Sequence, residues 1–212
     1  MASLQHSMPV ETPSEGGSFS NPFSTRFVRP GALSFLFLNN LTIRQLIDKL
    51  AQQQWRGQIV GPHGSGKSTL VQTLIPVLRD AGREVSAIVR HAGDKGPALA
   101  PLLSELNANR QLVIDGFEQY SRWDRWRIRR ACRCSGAGLL VTAHRDLGLP
   151  LLFETRVDIE LAKSIVRQLL HGRLPPIEER EIESAFARHY PNLREMLFEL
   201  YDSIERLRAP RD

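Results

Sequence analysis

Two periodicities alternate along this chain. Short, largely apolar runs occur at Gln58-Ile59-Val60, Glu84-Val85-Ser86-Ala87-Ile88-Val89, Leu112-Val113-Ile114 and Leu139-Leu140-Val141-Thr142, and these read as strands, that at Leu112–Ile114 a buried one. Between the first two, Leu70, Val71, Leu74, Ile75 and Leu78 recur at helical spacing, and that helix ends near Gly82. Asn40 or Thr42 is placed to cap an earlier helix to about Gln54, with Leu46, Ile47 and Leu50 on one side. Pro97 to Leu106 reads as a short helix, and Ser121 to Cys134 as a longer one. Arg156-Val157 is the candidate fifth strand. Buried strands alternating with helices predict an α/β fold, with a mostly parallel five-stranded sheet covered on both faces in three layers.

After Asp158 the pattern is helical alone. Ile159, Ala162, Ile165, Val166 and Leu169 mark one helix, Ile182 and Phe186 a second, and Leu193, Leu197, Leu200, Ile204 and Leu207 a third. Pro175-Pro176 separates the first two, and Pro191 suits the first position of the third. The organisation expected is a disordered leader over 1–21, rich in Ser, Gly, Pro and Glu, an α/β domain over 22–157, and a small all-helical unit over 158–212.

Composition adds little to that picture. The 212 residues carry a net charge of +5, mostly as arginine, which permits phosphate or nucleic-acid partners without requiring them. Cys132 and Cys134 lack C-x-x-C spacing, so neither a zinc site nor a disulfide framework is expected. With a polar N-terminus and Leu33–Leu38 too short to span a bilayer, the expected compartment is the cytoplasm, with no membrane partner.

The chemistry is concentrated at Gly61-Pro62-His63-Gly64-Ser65-Gly66-Lys67-Ser68-Thr69, which matches the phosphate-binding loop G-x-x-x-x-G-K-[ST], or Walker A. A strand runs into it and a helix runs out of it, the context the motif needs. The glycines let successive N–H groups point at one anion, and the helix adds its positive end. Lys67 is placed to reach the β- and γ-phosphates of ATP, and Ser68 to hold Mg²⁺. Gln111-Leu112-Val113-Ile114-Asp115 follows as a Walker B-like strand, delivering the Asp115 carboxylate to the same metal. Hydrolysis also needs a base for the attacking water. The residue after Asp115 is Gly116, so Glu118 is the nearest candidate, with Asp124 and Glu105 behind it.

On these motifs the chain resembles the AAA+ and STAND-type P-loop ATPases over about residues 40 to 208. Leu139-Leu140-Val141-Thr142-Ala143-His144-Arg145 is similar to their sensor 1 strand, and Tyr190-Pro191-Asn192-Leu193-Arg194-Glu195 to their sensor 2 element. The resemblance implies a sheet ordered 5-1-4-3-2, a helical lid over the nucleotide, and ATP with Mg²⁺ as cofactors. It gives Thr142 the sensor 1 role, with His144 as fallback, and has Arg194 touch the γ-phosphate. Many relatives carry Glu where Gly116 stands, which implies slow hydrolysis, or none.

One segment lies outside those roles. Residues 121–134 hold six arginines with Trp123 and Trp126, and helical spacing puts both tryptophans opposite the Ile128, Ala131 and Cys132 stripe. Such a face suits a protein partner or self-association, or stacking and phosphate contacts with nucleic acid; a solvated basic helix packing its tryptophans on neighbouring loops has the same pattern. Three functions fit the whole: an ATP-binding AAA+-like module with slow Mg²⁺-dependent hydrolysis coupled to a conformational switch, a P-loop small-molecule or nucleotide kinase with Asp94 at its acceptor site, and a non-hydrolysing nucleotide-sensing scaffold.

Overall fold

The computed structural model describes residues 21–37, 41–94, 99–170 and 177–208. Within them are helices α1 (Thr25–Val28), α2 (Ile43–Gln52), α3 (Lys67–Asp80), α4 (Leu99–Ser104), α5 (Arg122–Ser135), α6 (Ile159–Leu170), α7 (Glu179–His189) and α8 (Leu193–Arg208). The strands are β1 (Arg56–Val60), β2 (Glu84–Val89), β3 (Arg110–Asp115), β4 (Gly138–Ala143) and β5 (Leu151–Glu154). The sheet order is β2-β3-β4-β1-β5, all neighbours parallel, which is the order the resemblance implied. Parallel strands joined through helices need both faces covered, and two apolar clusters do this. One joins α2 and α3 to Val113 and Leu140; the other joins α5 to Leu112, Ile114, Leu139 and Val141. β4 is buried at every position, as expected of a central strand, whereas edge strand β5 leaves Leu151 exposed.

Two boundaries differ from the sequence reading, and a third expectation, the cap of α2, is met by one of its two candidates. The fifth strand is Leu151–Glu154, not Arg156-Val157, because the pairing partner is set by β1: Ile59 aligns with Phe153 and Val60 with Glu154. Thr42 caps α2 through a reciprocal box with Gln45, while the other candidate, Asn40, lies outside the described residues. Pro191 does not open α8. Asn192 does, its Oδ1 accepting from the Glu195 amide at 3.4 Å.

The C-terminal helices α6, α7 and α8 bury Leu161, Val166, Ile182, Met196, Leu200 and Ile204 in a core of their own. Phe23, from the segment ahead of the sheet, is fully buried in that same core. Asn21 fastens the entry by donating to Tyr201 O at 3.0 Å and Glu205 Oε1 at 2.8 Å. Among the described residues no helix is long and apolar enough to cross a membrane.

Candidate functional site

Strand β1 ends at Val60, and residues 61–66 loop to the start of α3 at Lys67. Gly64 and Gly66 both have positive φ, +67° and +91°. A side chain at Gly64 would also overlap Asn192 Oδ1, so the first residue ahead of α8 sits directly against the loop. The loop is held from beneath by Ser65, whose Oγ is 2.6 Å from Thr155 Oγ1 and donates to Pro62 O at 2.8 Å. Thr155 follows β5 and donates its amide to Val60 O at 2.8 Å, tying the edge strand to the loop's entrance.

Lys67 is 8% exposed. Its Nζ donates to Gly61 O at 2.7 Å and Pro62 O at 2.6 Å and lies 3.1 Å from His144 Nδ1. Burial pulls its pKa below the usual lysine value, against the opposing fields of Glu118 and then Asp115. Among the described residues no carboxylate comes within ion-pair distance of this ammonium. Ser68 and Thr69 occupy the first turn of α3 and are half-buried, and the Ser68 hydroxyl makes no hydrogen bond among the described residues.

Asp115 ends β3 beside the end of β4. Its Oδ1 accepts from Thr142 Oγ1 at 2.5 Å, and the same Oγ1 accepts from the Gly116 amide at 2.9 Å. Thr142, 1% exposed, thus fixes the carboxylate. Gly116 has φ +85°, and a Cβ there would overlap the Arg90 carbonyl oxygen. An acid beside Asp115 would therefore strain this turn. A 3₁₀ turn over Phe117–Gln119 brings Glu118 in instead. Glu118 Oε1 lies 3.0 Å from His144 Nε2, while its Oε2 is buried with no partner.

His144 is the residue sequence reasoning placed second and geometry places centrally. Its ring bridges Glu118 and Lys67, with Nδ1 3.3 Å from Gly61 O, and packs on His63 with ring centroids 3.5 Å apart. Burial, then the Lys67 charge, hold its pKa below the ordinary imidazole value, with Glu118 opposing. The only sequence signal for this was its position one residue past β4. Lys67, Asp115, Glu118, Thr142 and His144 are thus brought together around the strand ends. Arg194 is exposed on the first turn of α8, two residues past Asn192, and makes no polar contact among the described residues. Asp94 is exposed too, its Oδ2 accepting from the His91 amide at 2.8 Å within its own turn. No group of three His, Cys, Asp or Glu residues suited to a metal occurs among the described residues.

An apolar cleft opens next to the loop, lined by Phe35, Leu36, Phe37, Leu41, Phe153, Glu154 and Arg156. Its phenylalanines pack edge to face, with centroids 5.0 to 5.8 Å apart. Phe35 also packs on Gly66, its ring 3.2 Å from where a Cβ would stand, so cleft and loop share a wall.

No protein-family model matches the sequence, and no curated protein matches it. Solved structures do. The S. cerevisiae Hsp104:casein complex matches with a TM-score of 0.52 at 13% identity, over 88% of this chain and 41% of that one. The E. coli MS115-1 HORMA:CdnC:Trip13 complex matches at 0.47 and 15%, over 80% of both chains, and C. elegans PCH-2 at 0.44 and 13%, over 82% and 71%. The likeness to Hsp104 is one of fold, a mostly parallel five-stranded sheet between helices with a helical C-terminal part.

Proposed function

We propose that this chain binds ATP with Mg²⁺ at Gly61–Thr69 and acts as an AAA+-like nucleotide switch with slow hydrolysis. The observation that carries the reading is Lys67, a buried ammonium with carbonyl partners and no ion pair among the described residues. Buried charges are ordinarily paired, and a polyphosphate over the loop supplies the missing anion. The fit extends outward. The free Ser68 hydroxyl and the Asp115 carboxylate are oxygen donors of the kind Mg²⁺ takes. The bound ion would neutralise phosphate charge. The phenylalanine-walled cleft beside Gly66 suits the base.

Glu118 is the base in this reading. Its buried, unpartnered Oε2 can accept a proton from water while His144 holds Oε1. A carboxylate with one oxygen committed and no acid beside Asp115 favours slow turnover. Asn192 against Gly64 gives α8 a direct contact with the loop, and through it the helices α6–α8 act as the lid.

The test is ATP affinity of Lys67→Ala in the presence of Mg²⁺. Loss of a charge-assisted hydrogen bond is worth roughly 1.5–3 kcal/mol, so binding should weaken about ten- to a hundredfold. Unchanged affinity ends the proposal. Single-turnover hydrolysis with and without Glu118→Gln then separates an ATPase, which loses its rate, from a scaffold, which has none to lose.

A further inference from the structure

One surface has no part in that site. On α5, at 100° per residue, Arg122, Trp123, Trp126, Arg130, Arg133 and Cys134 share an arc of about 120°, and all six are exposed. Ile128 and Cys132 on the other side are fully buried. Trp123 is 65% and Trp126 50% exposed, and their rings stack with centroids 4.8 Å apart at 18°. Arg130 lies over Trp126 at 5.8 Å. Arg127 and Arg129 are already engaged, with Asp124 at 3.6 Å and with the Leu147 carbonyl. Arg122 and Arg133 make no polar contact among the described residues.

The charge is as concentrated as the rings. Six arginines and one aspartate give α5 five net positive charges, which equals the +5 of the whole chain, so the remaining residues sum to zero. No acid stands on the exposed arc, since Asp124 is half-buried and turned to Ser121 and Arg127.

We propose that this face binds single-stranded nucleic acid without sequence preference, with arginines on phosphates and the indoles stacking on unpaired bases. The pairing of chemistries favours this partner. Each nucleotide offers an anion and a flat π-face at once, which is what the arc presents in complement. An acidic protein segment would match the arginines but not two flat rings, and the arc adds no aliphatic residue to build a protein-docking core. A duplex keeps its base faces stacked within itself and leaves the indoles idle.

The experiment is fluorescence anisotropy of a labelled 15-nucleotide oligothymidylate with the full chain, near 50 mM salt. Binding should appear, and log affinity should fall against log salt with a slope of about −2, the value for three arginine–phosphate contacts on a single strand. Trp123→Ala or Trp126→Ala should weaken it about five- to a hundredfold, while Trp123→Tyr retains most of it. Arg122→Glu with Arg133→Glu should abolish it, with an unchanged circular dichroism melt because both side chains are exposed. Lys67→Ala should leave it intact; loss there would mean that the oligonucleotide phosphates sit in the loop, and would overturn the proposal. So would tryptophan variants that bind within twofold of the parent, or polyglutamate or duplex binding as tightly as the single strand.

Discussion

The missing acid after Asp115 invites a substitution, Gly116→Glu, that would install it. The geometry predicts that this variant loses stability and gains no activity. Gly116 sits at φ +85°, a region where a side chain costs roughly 1–2 kcal/mol. Its Cβ would also overlap the Arg90 carbonyl oxygen, which is backbone held by the Arg90 amide's 2.8 Å bond to Asp115 O and cannot step aside freely. Overpacking of that kind costs about 1–3 kcal/mol. Together the penalty is about 2–5 kcal/mol, or ~4–20 °C in Tm for a chain of this length. Because the displaced segment also carries the Gly116 amide bonded to Thr142, the Asp115 carboxylate should lose its fixed orientation as well. Thermal melts of Gly116→Ala and Gly116→Glu, read beside their ATPase rates, test this. Alanine isolates the backbone from the charge and should already melt several degrees low. If Gly116→Ala melts within ~2 °C of the parent, the steric reasoning is wrong.

Thr142→Val removes the hydroxyl that joins Asp115 to the Gly116 amide, a charge-assisted bond worth about 1.5–3 kcal/mol. The variant should melt lower and need more Mg²⁺ for nucleotide binding, with Thr142→Ser retaining both; a valine variant with parental Tm and Mg²⁺ titration refutes it. His144 is held below its ordinary pKa of about 6.5 chiefly by burial, so the unfolded chain binds its proton more readily. Its contribution is present while the ring is neutral and is lost as pH falls below that ordinary value towards the lower folded one. His144→Gln should therefore flatten the fall in stability from pH ~7 to ~5, measured by denaturant titration, and an unchanged slope would count against the assignment. Burial pushes the Cys132 thiol up to about 11, whereas Cys134 is exposed. A thiol reagent at pH ~8 should find a single fast-reacting cysteine in the native protein and both in denaturant; two fast thiols in the native state would refute the burial.

The elements that read clearly from sequence are those whose signal is local. β2 spans the expected residues Glu84–Val89, and α5 the expected helix to within a residue, because a short run rich in Val and Ile and a 3.6-residue stripe are each complete within one segment. β5 was misplaced because a four-residue edge strand is half exposed, and only its alignment with β1 distinguishes it from the turn beside it. The site divides in the same way. The loop and Asp115 are contiguous motifs, whereas the Glu118–His144–Lys67 chain joins three separate elements, and no spacing rule encodes which partner each side chain meets. The Ser65–Thr155 contact, 90 residues apart in sequence, is of the same kind.

The segment before the sheet bears on how the loop and the C-terminal helices would communicate. Asn21 is bonded to Tyr201 and Glu205 of α8, and Phe23 completes the core of α6–α8. Twelve residues past Phe23, Phe35 rests on Gly66 and against Phe153 of the edge strand. The C-terminal helices therefore touch the Gly61–Gly66 loop by two routes: directly, through Asn192 on Gly64, and indirectly, through residues 21–37 on Gly66. A nucleotide that repositions the loop would act on both at once. Because packed contacts rearrange between discrete states and do not deform continuously, two attachments to one loop favour concerted movement of the helical unit over fraying of either contact alone. Because Asn21 and Phe23 are buried in the helical unit, the segment would move with that unit in the proposed switch.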